Sequence, residues 1–485
     1  MTRSDHLGVS SIIRELLIDP KQYPNLIHFF HSTAWTLKRL QSKWIDIIKN
    51  SGYLFRLEGL IVLIGDGVKQ AKESRRMPGV KKLHQESEDS SKSEYIRGHF
   101  FGGLGVLVGS LVKLFCLPLS MTLHDGNETI LGWEGSEYKE DSHVKRLVSE
   151  ACTIAQSLGE TCLLLLDRFF LTQPALEAIK EAAERNGGIW PVILITRPKD
   201  NYTAWYKPDT QTAAAPGGDA GVNNKTKKNK RGRKPKANST GDKPKKEKPP
   251  LGEKVKIMDI FRLKAEHFTK ATFTLYGERE EVSYFCVNLL WGRELYQELR
   301  FVFVINFDDV KSVFVSTALD MDPQKIVEAY CFRFKIETFY RAFKQSMAGF
   351  GYHFWTRRLP SLDIFIKAEA MEQKIREVTA QISKDSIIST YHAIEGFVMF
   401  ACIAMGIIQL CSLRFADIIN RSECRWTRTN NKSVPTEETT MINLRFSLPT
   451  LFRKCDELAL VRSIKARQTI EVIEQSFESD LSESA

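Results

Sequence analysis

Tyr330-Cys-Phe-Arg333-Phe-Lys-Ile-Glu337-Thr-Phe-Tyr-Arg341-Ala-Phe-Lys344 is the stretch from which the fold is best read. Asp322-Pro323 just ahead of it is a helix start, with Asp322 as cap and Pro323 in the first turn. The spacing predicts one long helix. At roughly 100° per residue, Tyr330, Arg333, Glu337 and Lys344 fall within an arc of about 60°, and Arg341 lies beside them. Ile326, Phe332, Ile336, Phe339 and Phe343 fill the other sides as core contacts. A solvated face on an amphipathic helix is the plain reading of such charges. One carboxylate set among several cations and a tyrosine also suits a metal ligand next to phosphate groups.

A metal-ligating carboxylate needs partners, and two acids stand at the ends of apolar runs upstream. Leu60–Ile64 is followed by Gly65-Asp66-Gly67, and Thr161–Leu166 is followed by Asp167. Both read as buried strands that end in an acid. Residues 68–95 are polar and are expected to form a loop or short helix. His99–Ser110 and Val112–Leu123 read as paired strands. Asp141–Leu158 has helical spacing, with Asp141 or Ser142 as cap. Thr172–Arg185 is a helix capped by Thr172 and closed by Gly187-Gly188, and Ile189–Thr196 is a further strand. Three strands, a helix, a strand, a helix and a strand form the order expected of a ribonuclease-H-like α/β core.

Around this core the chain divides into five regions. Residues 1–55 are helical, either a packing unit or a small domain that binds DNA ends. Residues 56–198 are the first part of the catalytic core. Residues 199–319 are an insertion: a basic, disordered segment at about 213–256, then a β-rich part. The latter holds Ala271–Tyr276, Val282–Leu290, Phe301–Ile305 and Ser312–Thr317. Residues 320–415 complete the core with the Glu-bearing helix. Residues 416–485 are a C-terminal region, partly loop and ending in an acidic tail.

The net charge of +10 is local. Residues 223–256 hold fourteen Lys/Arg and three Asp/Glu, a net +11, so the remainder of the chain carries −1. Such a run attracts polyanions or is a solvated tail. Nine cysteines are scattered without C-x-x-C spacing, which argues against a disulfide framework and a zinc site and favours a reducing compartment. Met1–Pro20 mixes acids and bases, so no secretory leader is expected. Phe397–Leu413 is apolar but at the short edge for a bilayer span, so a buried core helix is expected and no membrane partner.

Three carboxylates have a chemical rationale. Phosphodiester cleavage needs an activated water or 3′-hydroxyl and relief of charge on the leaving oxygen; two hard cations about 4 Å apart supply both. Magnesium takes oxygen ligands and keeps several waters, so a few carboxylates suffice.

The spacing Y-x2-R-x3-E-x6-K, complete here as Tyr330, Arg333, Glu337 and Lys344, resembles the signature of a class of bacterial insertion-sequence transposases in the DDE superfamily. Asp167-Arg168-Phe169-Phe170 and Gly65-Asp66-Gly67 look like the segments around their second and first acids. The resemblance covers about residues 55–350. It implies that Asp66, Asp167 and Glu337 are catalytic and bind two Mg²⁺ ions, with Mn²⁺ as a substitute. It implies that Tyr330, Arg333 and Lys344 contact the DNA backbone near the cut, with Arg341 beside them, and that the β-rich insertion is typical. The partners would be terminal inverted repeats and target DNA, held by a homodimer on paired ends, in the bacterial cytoplasm on the nucleoid. Some relatives hold a flipped base with an insertion tryptophan, for which Trp291 is the first candidate and Trp205 the second. Arg231-Gly232-Arg233-Lys234-Pro235 is similar to a short family piece. Non-specific phosphate attraction is the plain reading of this segment, and entry of a flat R-G-R piece into the narrow minor groove of A·T-rich DNA is the alternative. Two rival functions remain: a metal-dependent nuclease without joining, and a non-catalytic, domesticated DNA-binding protein.

Overall fold

The computed structural model describes residues 8–85, 93–135, 143–208, 250–363, 366, 368–419, 433–455 and 457–469. Most of the basic segment, with Arg231, Arg233 and Lys234, lies outside the described residues. So do the expected caps Asp141 and Ser142, most of the loop at 422–440, and the acidic tail.

Three helices come first: α1 (Val9–Glu15), α2 (Tyr23–His31) and α3 (Leu37–Lys49). Strands β1 (Arg56–Leu57), β2 (Leu60–Ala71), β3 (Lys81–His84), β4 (Tyr95–Ser110) and β5 (Lys113–Leu123) follow. Then come α4 (Glu128–Trp133), α5 (His143–Leu158), β6 (Cys162–Leu165), α6 (Gln173–Arg185) and β7 (Val192–Thr196). Strands β8 (Thr203–Trp205) and β9 (Lys254–Lys256) flank residues 209–249. Next are α7 (Ile260–Leu263), β10 (Thr269–Leu275), β11 (Glu278–Trp291), β12 (Gln297–Ile305) and β13 (Lys311–Ser316). The chain continues through α8 (Pro323–Cys331), α9 (Lys335–Gln345), α10 (Ala368–Arg376), α11 (Gln381–Arg414), α12 (Glu437–Lys454) and α13 (Ala459–Lys465).

The fold is mixed α/β, built on one large mixed sheet. All thirteen described strands belong to it, along a path β3-β4-β2-β6-β7-β13-β12-β11-β8-β9, with β5 paired to β4, β10 to β11 and β1 to β2. The meander β2-β4-β5 is antiparallel, whereas β2, β6 and β7 run parallel. A parallel pair needs a crossover, usually helical; α5 and α6 occupy those links. The β-rich part of the insertion extends the same sheet, because β13 pairs antiparallel with β7.

Three local expectations change. Asp66 sits inside β2, which runs on to Ala71 because β4 keeps pairing with it as far as Ala71↔Gly98. Residues 68–95 are neither simple loop nor helix: they hold the end of β2 and the edge strand β3, paired Lys81↔Gly98 to His84↔Tyr95. The long helix is broken into α8 and α9 by a 3₁₀ turn at Phe332–Phe334. A 3₁₀ turn has three residues instead of 3.6, so it changes the angular phase of α9 relative to α8. There Phe332 meets Phe55 at 5.5 Å and Phe334 meets Tyr276 at 5.8 Å.

Helix α11 is long and apolar enough to cross a membrane by length and composition. Here it is mostly buried, packed against β5, α2, α3 and α12. Two of its buried polar side chains are tied to neighbours: the Gln409 amide nitrogen donates to the Cys116 carbonyl (3.2 Å), and the Ser412 and Thr440 hydroxyls are 2.7 Å apart. Trp44 on α3 is 2% exposed, and its indole donates to the Pro118 carbonyl at 2.8 Å. Gly406 on α11 makes room for that ring, since a β-carbon there would come within 2.3 Å of it. The N-terminal helices are thus joined to the core. Trp44→Ala should lower unfolding free energy by about 3–5 kcal/mol, the cost of deleting a buried aromatic, as measured by urea denaturation; a loss under about 1 kcal/mol would show that α3 contributes little.

Candidate active site

Parallel pairing of β2 with β6 runs from Ile61↔Cys162 to Ile64↔Leu165. Two residues further in the same register, Asp66 comes beside Asp167. There the strands part. Strand β2 stays bonded to β4, with Asp66 opposite Gly103. Strand β6 has ended, and the Asp167 carboxylate accepts from the Phe169 amide at 2.9 Å, capping the turn Arg168–Phe170. The Thr196 hydroxyl donates to the Asp167 carbonyl at 2.6 Å and ties the turn to β7. Crevices beyond the carboxyl ends of parallel strands are the usual ligand sites of α/β sheets.

A cleft of about 390 Å³ lies there, with Asp66, Asp167, Lys69, Lys81, Lys82 and His143 in its lining. Lys81 is ion-paired with Asp125. Burial, with His124, Lys69 and Lys81 adding to it, lowers the His143 imidazole to about 4, so it is neutral at pH 7.

Helix α9 is held against β2 by two hydrogen bonds. The Tyr340 hydroxyl donates to the Asp66 carbonyl at 2.9 Å. A β-carbon at Gly103 would stand 2.4 Å from that oxygen, so only glycine admits it. Arg333 then lies between two acids, 3.7 Å from Asp66 and 2.5 Å from Glu337. Lys344 donates to the Lys69 carbonyl at 3.3 Å, and burial lowers its pKa. Tyr330 packs edge-on against Phe314 at 5.2 Å; burial raises its pKa, and Arg333, Arg197 and Asp167 act on its hydroxyl. The four motif residues therefore gather along the acids despite the break in the helix. Arg341 is exposed on α9.

Burial raises the Asp66 carboxyl to about 7; Asp167 and Glu337 add to the rise, while Arg333 and the Gly67 amide oppose it. Among the described residues, no three His, Cys, Asp or Glu side chains form a cluster that would hold a metal ion. Asp66 and Asp167 nevertheless present hard oxygen donors to one cleft, and one or two carboxylates are what Mg²⁺ commonly takes. Glu337 does not line that cleft; one of its carboxylate oxygens is held by Arg333.

No protein-family model and no curated protein matches the chain. A solved structure does. The chain is similar to one in a cryo-EM structure of the piggyBac transposase synaptic complex with hairpin DNA, at 11% identity and a TM-score of 0.31. The match covers 83% of this chain and 56% of that one, so the chain spans little more than half of its length. At that TM-score the likeness carries no weight for fold or function.

The tryptophans lie elsewhere. Trp291 is buried against Tyr202 (5.4 Å), and Trp205 meets Tyr296 edge-on at 5.2 Å. Both line a second cleft of about 770 Å³, with Lys254 and Arg293, and neither lines the acid cleft. Lys69, Lys81, Lys82, His143 and Tyr340 escaped the sequence reading. The Tyr340 hydroxyl on a stripe otherwise of Phe339 and Phe343 was the one local sign.

Asp66→Asn should raise the thermal midpoint by a few degrees at pH 8, because it removes a carboxylate whose ionisation the fold opposes. The gain is full above pH 7 and falls away towards about pH 4, the unfolded value, where the folded wild type is already protonated. Thermal unfolding across that range checks it; a pH-independent difference would count against it.

Proposed function

We propose that the chain is a DDE-type DNA transposase with a ribonuclease-H-like core, cleaving DNA at element ends and joining them to target DNA. The observation that carries this reading is the side-by-side position of Asp66, inside β2, and Asp167, just past the end of β6, with the helix bearing Glu337 docked on them through Tyr340 and Arg333. The order of the core elements, β2-β4-β5-α5-β6-α6-β7, supports it. The four-residue signature supports it as well.

Asp66, Asp167 and Glu337 would hold Mg²⁺, or Mn²⁺ in its place. Bound there, the ions would activate the attacking hydroxyl and relieve charge on the leaving oxygen. The residues of this chain prepare that chemistry. Burial, with Asp167 and Glu337 adding to it, raises the Asp66 pKa, and a cation in the cleft would favour its ionised form. Arg333 keeps Asp66 and Glu337 from repelling each other while no cation is bound, and is well shaped to turn to a phosphate. Lys69, Lys82 and Lys344 supply positive charge along the path of a DNA strand. Terminal repeats and target DNA would be the partners, with two copies of the chain on paired ends.

A second reading, a DNA-binding protein without catalysis, draws on the position of Arg333 between Asp66 and Glu337. The test is incubation of the full chain with element-end DNA and Mg²⁺, followed by mapping of cut and joined products. Cut but unjoined DNA would identify a plain nuclease, and no cutting would favour the second reading. Glu337→Ala should reduce cleavage by at least about 100-fold, the scale of losing one charge-stabilising group. DNA affinity should be unchanged, because binding rests on cations; wild-type cleavage would refute the assignment. Arg333→Ala should weaken positioning of the DNA end more than metal affinity, measured by end binding and by metal titration of cleavage. Unchanged cleavage together with unchanged end affinity would remove its role.

A further inference from the structure

One side chain lining the acid cleft belongs neither to the signature nor to the cations assigned to the DNA path. His143, the first residue of α5, lines the cleft together with Asp66 and Asp167. Its ring stacks on Phe169 at 5.1 Å, meets Phe100 edge-on at 5.1 Å and meets Phe170 edge-on at 6.1 Å. The two nearer rings are each anchored beside an acid. The Phe169 amide donates to the Asp167 carboxylate at 2.9 Å. Phe100 covers Gly67, the neighbour of Asp66, so closely that a β-carbon there would stand 2.6 Å from the phenyl ring. The imidazole is thus wedged at a fixed place within the site.

A phenylalanine would pack in such a cage equally well, so packing alone does not call for an imidazole. The other basic side chains of the lining are all engaged. The Lys69 ammonium donates to the His84 carbonyl at 2.7 Å, Lys81 pairs with Asp125, Lys82 lies 3.9 Å over the Tyr95 ring, and the His84 ring faces Glu94 at 3.7 Å. The His143 ring has no hydrogen-bond partner among the described residues. A half-buried polar group left so is a place where a ligand or water bonds. Burial keeps the ring neutral at pH 7, so it offers one N–H donor and one bare nitrogen. Acceptors are already plentiful in the cleft, as the Asp66, Asp125 and Asp167 carboxylates; the N–H is what the ring adds. A neutral donor also suits this place. It bonds an anionic oxygen without repelling the hard cations that the carboxylates would attract, whereas another ammonium would repel them.

We propose that His143 is a catalytic residue of the cleavage step, its ring N–H donating a hydrogen bond to a non-bridging oxygen of the phosphodiester held in the acid cleft. The inference rests on the DNA-processing reading above. The phenyl cage holds the donor in place before DNA arrives, so no reordering is needed as the bond strengthens on an oxygen that gains charge.

The test uses the full chain, element-end DNA and Mg²⁺, with cleavage followed at saturating DNA, affinity by fluorescence anisotropy and folding by thermal unfolding. His143→Phe keeps a ring in the cage and removes the donor. It should lower kcat about 10- to 100-fold, the scale of one hydrogen bond to a charged group. DNA affinity should be unchanged, because it rests on many cations, and the thermal midpoint should hold or rise. Asparagine carries an amide N–H near the place of Nδ1 and glutamine near that of Nε2, so either His143→Asn or His143→Gln should restore most of the lost rate. Wild-type kcat in His143→Phe would overturn the inference. So would Asn and Gln variants that are both as slow as His143→Phe, since a held donor is then not what the imidazole supplies. The two levels separate in the same assay: a wild type that cleaves no better than His143→Phe removes this contact alone, while a wild type that does not cleave removes the underlying reading with it.

Discussion

Four backbone pairs between β2 and β6, Ile61↔Cys162 through Ile64↔Leu165, set the register on which the candidate site depends. Side chains alternate along a strand, so a slip of one residue would turn Asp66 to the other face of the sheet. The flanking residues guard against that slip. Ile61, Val62, Leu63 and Ile64 on one strand and Cys162 to Leu166 on the other are almost wholly buried. Both faces of these strands are buried, so misregister would disrupt their packing on each side, where a fully buried aliphatic side chain is worth roughly 1.5–3 kcal/mol. Apolar packing over several residues therefore holds two like charges side by side, a contact unfavourable in itself.

The second constraint is close approach. Tyr340 reaches the Asp66 carbonyl only because Gly103, its cross-strand neighbour, lacks a side chain. That hydrogen bond, with the one from Lys344 to the Lys69 carbonyl, ties α9 to the strand that carries the first acid. The 3₁₀ turn ahead of α9 rotates Arg333 into the gap between Asp66 and Glu337. The result is a balanced cluster: two cleft acids, a guanidinium and a third acid whose side chain is 58% exposed. A cluster in which one cation is held by two carboxylates can exchange that cation for another without rebuilding the strands beneath.

The insertion strands serve this centre rather than forming a detached unit. Through β13 they continue the sheet past β7, and through the β10–β11 hairpin they return to α8 and to Phe334. The second aromatic cleft, around Trp205 and Trp291, is built by β8, β9 and the end of β11. It lies beside α6 rather than over the acids. Lys82 over Tyr95 and Lys254 over Trp205 show the same pairing of cation and ring at the two ends of the sheet.

Local pattern determined a good deal of this protein. Apolar runs ending in Asp66 and Asp167, the caps Thr172 and Asp322, and the helix spacing of the Glu337 face were legible because each depends on residues a few positions apart. The boundaries of β5, α5 and α6 follow from the same short-range periodicity. What lay beyond the sequence was every feature set by pairing between distant segments: β3 as an edge strand on β4, the extension of β2 past Asp66, and the wedge of Arg333. Strand register and helix docking are decided by contacts between residues far apart in the chain, where one glycine or one turn of different pitch redirects a side chain. Composition and spacing carry the chemistry that is available; only the tertiary structure decides which groups meet.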